Sequence, residues 1–432
     1  MRLQLHRGFT FADAKKLVPY MTSLGISHLY ASPILTARPG SMHGYDVIDP
    51  TRVNAELGGE GALRDLVVAL REAGLGLIVD IVPNHMAAGG MENPWWGDVL
   101  QHGSCSRYAT FFDIDWNTPD PALRGKLLAP VLGEPYGEAL HSGTLTLVWR
   151  GECAAIRYYD IYFPIRPEDH AEIFRLPSNA YDPTDEAGRA RLHRLLERQH
   201  YRLAWWRCGN DVITWRRFFD INGLVAVRVQ DEAVFEATHA TLLRLHKEGI
   251  IDGFRIDHVD GLTDPPGYCR RLRARLNENS RQDCTWIVAE KILGSGEHLP
   301  DDWAVDGTSG YDFMDEVSAL LHDASGQAAL QRLWHSLSGR PADLDVEECT
   351  ARGEVLCRSF SAQLDAAVAE LHWLARAELQ TRDTTPVAIR RALTTLLVHF
   401  RVYRTYGAGP SEGFARALAR ATAAAPAADH PT

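Results

Sequence analysis

Apolar runs that give way to polar residues recur along the first 300 or so positions, at His28–Ala31, Gly76–Val82, Gly253–Asp257 and Trp286–Glu290, with helical spacing between them. Arg64–Ala73 precedes the second run, and Asp231–Glu248 precedes the third, with Asp231 placed as an N-cap and Gly249 as the stop. That rhythm predicts parallel strands joined by helices, which either close into an eight-stranded barrel or open into a doubly wound sheet. No glycine-rich phosphate loop follows the first strand, so the barrel is the expectation. Strand starts are expected near Leu3, His28, Leu77, Gly253 and Ile287, with a sixth before Gly307.

The rhythm breaks after Met86, where Leu145–Trp149 and Ile156–Phe163 alternate as strands do, and this predicts a small antiparallel insert over the active face. From Gln327 to about Ala421 the pattern is helical, with a helix start at Thr384-Thr385-Pro386, and an Ala- and Pro-rich tail follows. The expected division is 1–85 and 201–325 for the barrel, 86–200 for the insert, 326–420 for the helical segment and 421–432 for a disordered tail.

A formal charge of −11 argues against a nucleic-acid groove or an anionic membrane surface, since both would repel the chain overall. The seven cysteines contain no CxxC and no Cys/His cluster, so neither a disulfide framework nor a metal site is expected. With no run of roughly 18 apolar residues and no signal peptide, a cytoplasmic protein acting on a neutral ligand is the expectation.

Arg255 and Asp257 lie two apart on a strand and hence share a face, at the end where barrel catalysis occurs. The cation is expected to hold Asp257 ionised, which suits a glycosidic nucleophile; a structural Arg–Asp pair is the alternative. Glu290 ends the next strand at the same rim, and its apolar neighbours suit a proton donor. Asp80 and Asn84 alternate to one side of their strand as orienting groups, with His85 beyond them placed to bond a hydroxyl.

DIVPNH, GFRIDH and AEKIL, in this order, resemble three conserved regions of the α-amylase superfamily, and His43-Gly44-Tyr45 resembles its loop after the second strand. Within that superfamily RLQLHRGFTFADA, YASPI, SMHGYDVIDP, LGGEG, YRLAWW, WRRFFDIN, FRIDHVDGL, VDGTSGYDF and, more faintly, VYRTY resemble the maltooligosyltrehalose synthases. The resemblance implies a (β/α)8 barrel with an insert after its third strand. It also implies conversion of the reducing-end α-1,4 bond of a maltooligosaccharide to α,α-1,1, without a metal or cofactor.

By that resemblance Asp257 is the nucleophile and Glu290 the acid/base, while Arg255, His85, Tyr45 and His43 hold the glucose at the cleavage point. His258, Asp260 and Lys291 are implied toward the reducing end; Asp306 and Tyr311 are implied there too, with a turn as the alternative for Asp306. A metabolic link to a maltooligosyltrehalose trehalohydrolase is also implied. Two departures stand out: the family's third carboxylate, in a His-Asp-Thr-Lys-Arg element, has no counterpart, and Thr214 and Gln230 replace Asn and Glu. His322-Asp323 reads as a helix end. The expectation is a barrel incomplete at its C-terminus, served by a complementing C-terminal fragment. An ordinary α-glucan hydrolase or glucanotransferase, or a silent glucan-binding fragment, remain as rival readings.

Overall fold

The computed structural model describes residues 1–177, 179–278, 285–294, 296–406 and 411–425. The chain divides into two compact units. The first comprises 1–209, 213–291 and 299–309; the second comprises 210–212, 292–298 and 310–432.

The first unit is built on a six-stranded sheet: β1 (Arg2–Leu3), β2 (His28–Ala31), β3 (Gly76–Ile81), β4 (Gly253–Ile256), β5 (Trp286–Ala289) and β6 (Gly307–Thr308). Every pairing is parallel and each strand lies beside its neighbour in sequence. All six expected strand positions are therefore occupied, in the consecutive order a singly wound barrel requires. Closure is not observed among the described residues, because β1 and β6 are edge strands.

Helices cross between the strands because the intervening segments carry one apolar stripe. Gly59–Glu72 buries Leu63, Leu66, Val67 and Leu70, at helical spacing, and Glu232–Lys247 buries Val234, Phe235, Leu242, Leu243 and Leu245. Gly249 follows at φ +80°, as a left-handed helix stop requires. Asp231 occupies the N-cap position of the second helix but makes no side-chain capping bond. The strands bury Leu29, Leu77, Val79, Phe254, Ile256 and Ile287.

Between β3 and the Glu232–Lys247 helix the chain makes a long excursion from the C-terminal end of β3. It holds an antiparallel sheet of Leu145–Arg150, Cys153–Tyr158 and Ile161–Pro164. The expected strand Ile156–Phe163 is thus two strands: Tyr159 turns the chain at φ +51°, a left-handed conformation that ends the ladder. Ile221–Ala226 returns to pair with His85–Ala87, and Tyr201–Trp205 lies parallel to Leu127–Leu132. The pairing thus continues past position 200.

The second unit is helical: Tyr311–Leu320, Gln327–Ser338, Leu344–Arg358, Ser361–Ala377, Pro386–Val398 and Glu412–Ala424. Thr385 caps the Pro386 helix through its hydroxyl, and Asp323 accepts from the Ser325 N–H just after the first helix ends, as the sequence reading has it. The expected tail begins inside the last helix, which runs to Ala424; positions 426–432 lie outside the described residues.

Phe254→Ala, deep in the sheet at 1% exposure, is expected to cost about 3–5 kcal/mol in urea unfolding. Leu320→Ala, 85% exposed, is expected to stay within about 0.5 kcal/mol of the parent.

Candidate active site

The register of the parallel sheet aligns Asp80 on β3 directly with Arg255 on β4. Asp257 follows β4 and Glu290 follows β5, each joined to the preceding strand by its own N–H, at 2.9 Å to Ile81 O and Ile256 O respectively. Three carboxylates from three strands therefore converge on one buried guanidinium at the strands' C-terminal ends. Arg255 Nη1 lies 2.8 Å from Asp80 Oδ1 and 2.7 Å from Asp257 Oδ1, and Nη2 lies 2.7 Å from Glu290 Oε1. The Tyr30 hydroxyl donates to Asp80 Oδ2 at 2.8 Å, and the Tyr45 hydroxyl donates to the same oxygen. Asp80 is thus held by three donors from three segments of the chain.

One cation cannot neutralise three carboxylates in a site this dry. Burial pushes the Asp257 carboxyl up to about 7, with Asp80 and Glu290 adding to the rise and Arg255 only partly offsetting it. Burial pushes Asp80 up as well. The expectation that Arg255 keeps Asp257 fully ionised is therefore corrected: the same guanidinium is shared with two other acids. Arg255 itself is raised despite its burial, because Asp80, Tyr30, Asp257 and Glu290 all favour its charge. Glu290 is not in an apolar niche; its second oxygen, Oε2, accepts the His258 backbone N–H at 2.8 Å.

A wall of rings borders this cluster. His85 packs on Phe218 at 4.5 Å between centroids, Phe218 on His258 at 4.8 Å, and Phe219 on His258 at 5.0 Å. Burial lowers His85 to about 3 and His258 to about 4, so both imidazoles are neutral near pH 7. His85 Nε2, close to the Tyr45 backbone, is buried without a hydrogen bond of acceptable geometry. Its Nδ1 lies 3.4 Å from Asn84 Nδ2, while Asn84 Oδ1 accepts from Arg216 Nη1 at 3.1 Å.

His43 is half-exposed, stacked on Tyr45 at 6.0 Å, and its Nδ1 accepts the Tyr45 N–H at 3.0 Å. The structure thus brings His43, Tyr45, Asp80, Asn84, His85, Arg255, Asp257, His258 and Glu290 to one end of the sheet. Asp306 and Tyr311 do not join them. Asp306 sits at the opposite end, where its Oδ2 accepts from the Ile287 N–H and Arg273 Nη2, each at 2.7 Å. Lys291 and Asp260 lie at the same end as Glu290 and His258, buried and paired with each other, with Lys291 Nζ 3.4 Å from Asp260 Oδ2. Tyr311 belongs to the second unit. Tyr30 and Arg216 went unrecognised in sequence; Tyr30 alternates with the β2 core positions, a usable signal, whereas nothing local marks Arg216.

Residues 14–170 match the family described as alpha amylase, catalytic domain. The parallel sheet and the acid cluster at its C-terminal ends, together with that match, are those of an α-amylase-type catalytic domain over the matched residues. The chain's similarity reaches further than that domain. The chain is 41% identical over 92% of its length to a putative maltooligosyl trehalose synthase of Mycobacterium tuberculosis, covering 46% of that protein. It superposes on the maltooligosyltrehalose synthase of Arthrobacter ramosus with a TM-score of 0.82 and 35% identity, over 99% of this chain and 51% of that one. An intracellular maltogenic amylase of Bacillus subtilis is 35% identical over only 22% of this chain and 15% of its own. The chain spans about half the length of the curated synthases it matches. Among the described residues no helix is long and apolar enough to cross a membrane.

Because the folded Asp257 carboxyl is raised to about 7 from an unfolded value near 4, its contribution to stability is full below about pH 4 and is lost as pH rises through 7. Asp257→Asn is therefore expected to gain on the parent by up to about 4 kcal/mol between pH 4 and pH 8, read by denaturant melts at the two pH values.

Proposed function

We propose that this chain carries the nucleophile and the acid/base of a maltooligosyltrehalose synthase. The observation that carries the reading is the Arg255 guanidinium holding Asp257 and Glu290 within one hydrogen-bonded group, at 2.7 Å from each. Its near-full-length similarity to synthases of that name is the second support. The six consecutive parallel strands are read as part of an eight-stranded barrel, with the excursion after β3 as an insert over its active face.

In the proposed reaction Asp257, once ionised, attacks the anomeric carbon of the penultimate glucosyl unit of a maltooligosaccharide, and the bond to the terminal glucose oxygen breaks. Glu290 gives its proton to that oxygen, leaving a glycosyl-enzyme and a free glucose. Glu290, now ionised, takes the proton from the anomeric hydroxyl of the turned glucose, which attacks the glycosyl-enzyme, releases Asp257 and forms the α,α-1,1 bond. Arg255 balances the charge that passes between the two acids. His85, neutral and lacking a bond at Nε2, is the proposed donor to a sugar hydroxyl, with Tyr45 and His43 as the adjacent face. The step is an isomerisation, needs no cofactor, and competes with hydrolysis unless water is excluded. Exclusion is assigned to the aromatic insert, where Trp95 stacks on Tyr108 at 5.3 Å.

With a complementing C-terminal segment supplied, incubation with maltopentaose is expected to give a non-reducing product of unchanged mass, with Asp257→Ala and Glu290→Gln each lowering the rate at least about 10³-fold. Reducing-end products of lower mass would move the reading to an α-glucan hydrolase.

A further inference from the structure

Glu290 and Lys291 are adjacent in sequence but leave β5 in opposite directions, because a tight turn, with the Lys291 N–H on Ala289 O at 2.9 Å, follows the strand. Both nevertheless reach the same short 3-10 turn, Val259–Gly261, which His258 opens. Glu290 Oε2 accepts the His258 N–H at 2.8 Å on the substrate side. Lys291 Nζ meets Asp260 Oδ2 at 3.4 Å on the buried side.

His258 adopts the left-handed conformation, φ +46° and ψ 47°, which a non-glycine residue holds only when its surroundings impose it. Here the constraints are visible. Gly261 N–H bonds back to His258 O at 3.0 Å, and Arg216 Nη1 donates to Gly261 O at 2.8 Å. A Cβ at Gly261 would stand 2.2 Å from the His258 ring and 2.7 Å from Asn84 Oδ1, so the turn has no slack there. A further anchor is the Lys291–Asp260 pair, with both partners buried, so that removing one charge disturbs the other.

We infer that Lys291, with Asp260, is a positioning pair for Glu290: it locks the 258–261 turn so that the His258 N–H caps one Glu290 oxygen and leaves Arg255 the other. The pair does not touch substrate. The His258 N–H on one oxygen and Arg255 on the other fix the direction in which Glu290 presents its carboxyl group. This inference rests on the reading of Glu290 as the acid/base of an α-glucan reaction, and the test separates the two.

The experiment compares the whole parent chain with Lys291→Met, Lys291→Arg and the double variant Lys291→Met with Asp260→Asn, which removes both buried charges and keeps a foldable comparison. Amide hydrogen exchange at 258–261 is read first, with Tm, and then, with the complementing C-terminal segment supplied, kcat and KM on maltopentaose. Expected for Lys291→Met and the double variant is about tenfold faster exchange at the His258 amide and a kcat lowered at least about tenfold with KM nearly unchanged. Lys291→Arg is expected to restore most of the exchange protection and of kcat. Unchanged protection at His258 in both charge-deleted variants would overturn the inference, as would a raised KM with kcat held, which would make Lys291 a substrate contact. A parent chain that turns over no glucan would remove the functional reading, and the exchange result alone would then decide the positioning claim.

Discussion

The Arg255 guanidinium is the interaction on which the site depends. Three strands must end in register for Asp80, Asp257 and Glu290 to reach it at 2.7–2.8 Å, so the parallel sheet and the acid cluster specify one another. A lysine could not substitute, since a point charge cannot present separate N–H groups to acids arriving from different directions. Buried charge of this kind is costly wherever one partner is lost, which makes the cluster a condition for a well-formed site more than a source of stability.

The same arrangement divides labour among like residues. Asp80 accepts from Arg255, Tyr30 and Tyr45 and is buried, which holds it in place among the strands. Asp257 has one bond to the same cation and a proton it does not readily release, which suits a group that must be ionised to attack but must also tolerate burial. Glu290 is partly exposed and held at both oxygens, which suits a group that must exchange a proton with a substrate oxygen. In the proposed reaction, environment and not residue type separates the three carboxyl groups.

The strands were legible in sequence because each is an apolar run that gives way to a polar residue, and Arg255 with Asp257 was legible because strand alternation puts positions two apart on one face. What was not legible depends on contacts distant in the chain. The charge state of Asp257 could not be read from its neighbour Arg255 alone, because the competing acids are 177 and 33 positions away in sequence, at Asp80 and Glu290. Lys291 reads as a pocket residue by adjacency to Glu290, yet the turn after β5 buries it. Asp306 reads as a site acid from its motif, yet it anchors the start of β5 at the other end of the sheet. The alternation of Ile156–Phe163 gives no warning that Tyr159 leaves extended conformation.

One guanidinium serves three carboxylates, and burial raises the Asp257 carboxyl to about 7. Infrared titration of the carboxylic acid C=O stretch tests it directly, comparing the parent with Asp257→Asn. The predicted result is a buried carboxylic acid band in the parent that titrates near the value of about 7 and is absent from the variant. A parent in which every carboxyl group is already ionised at pH 5, or a band that survives Asp257→Asn unchanged, would contradict it.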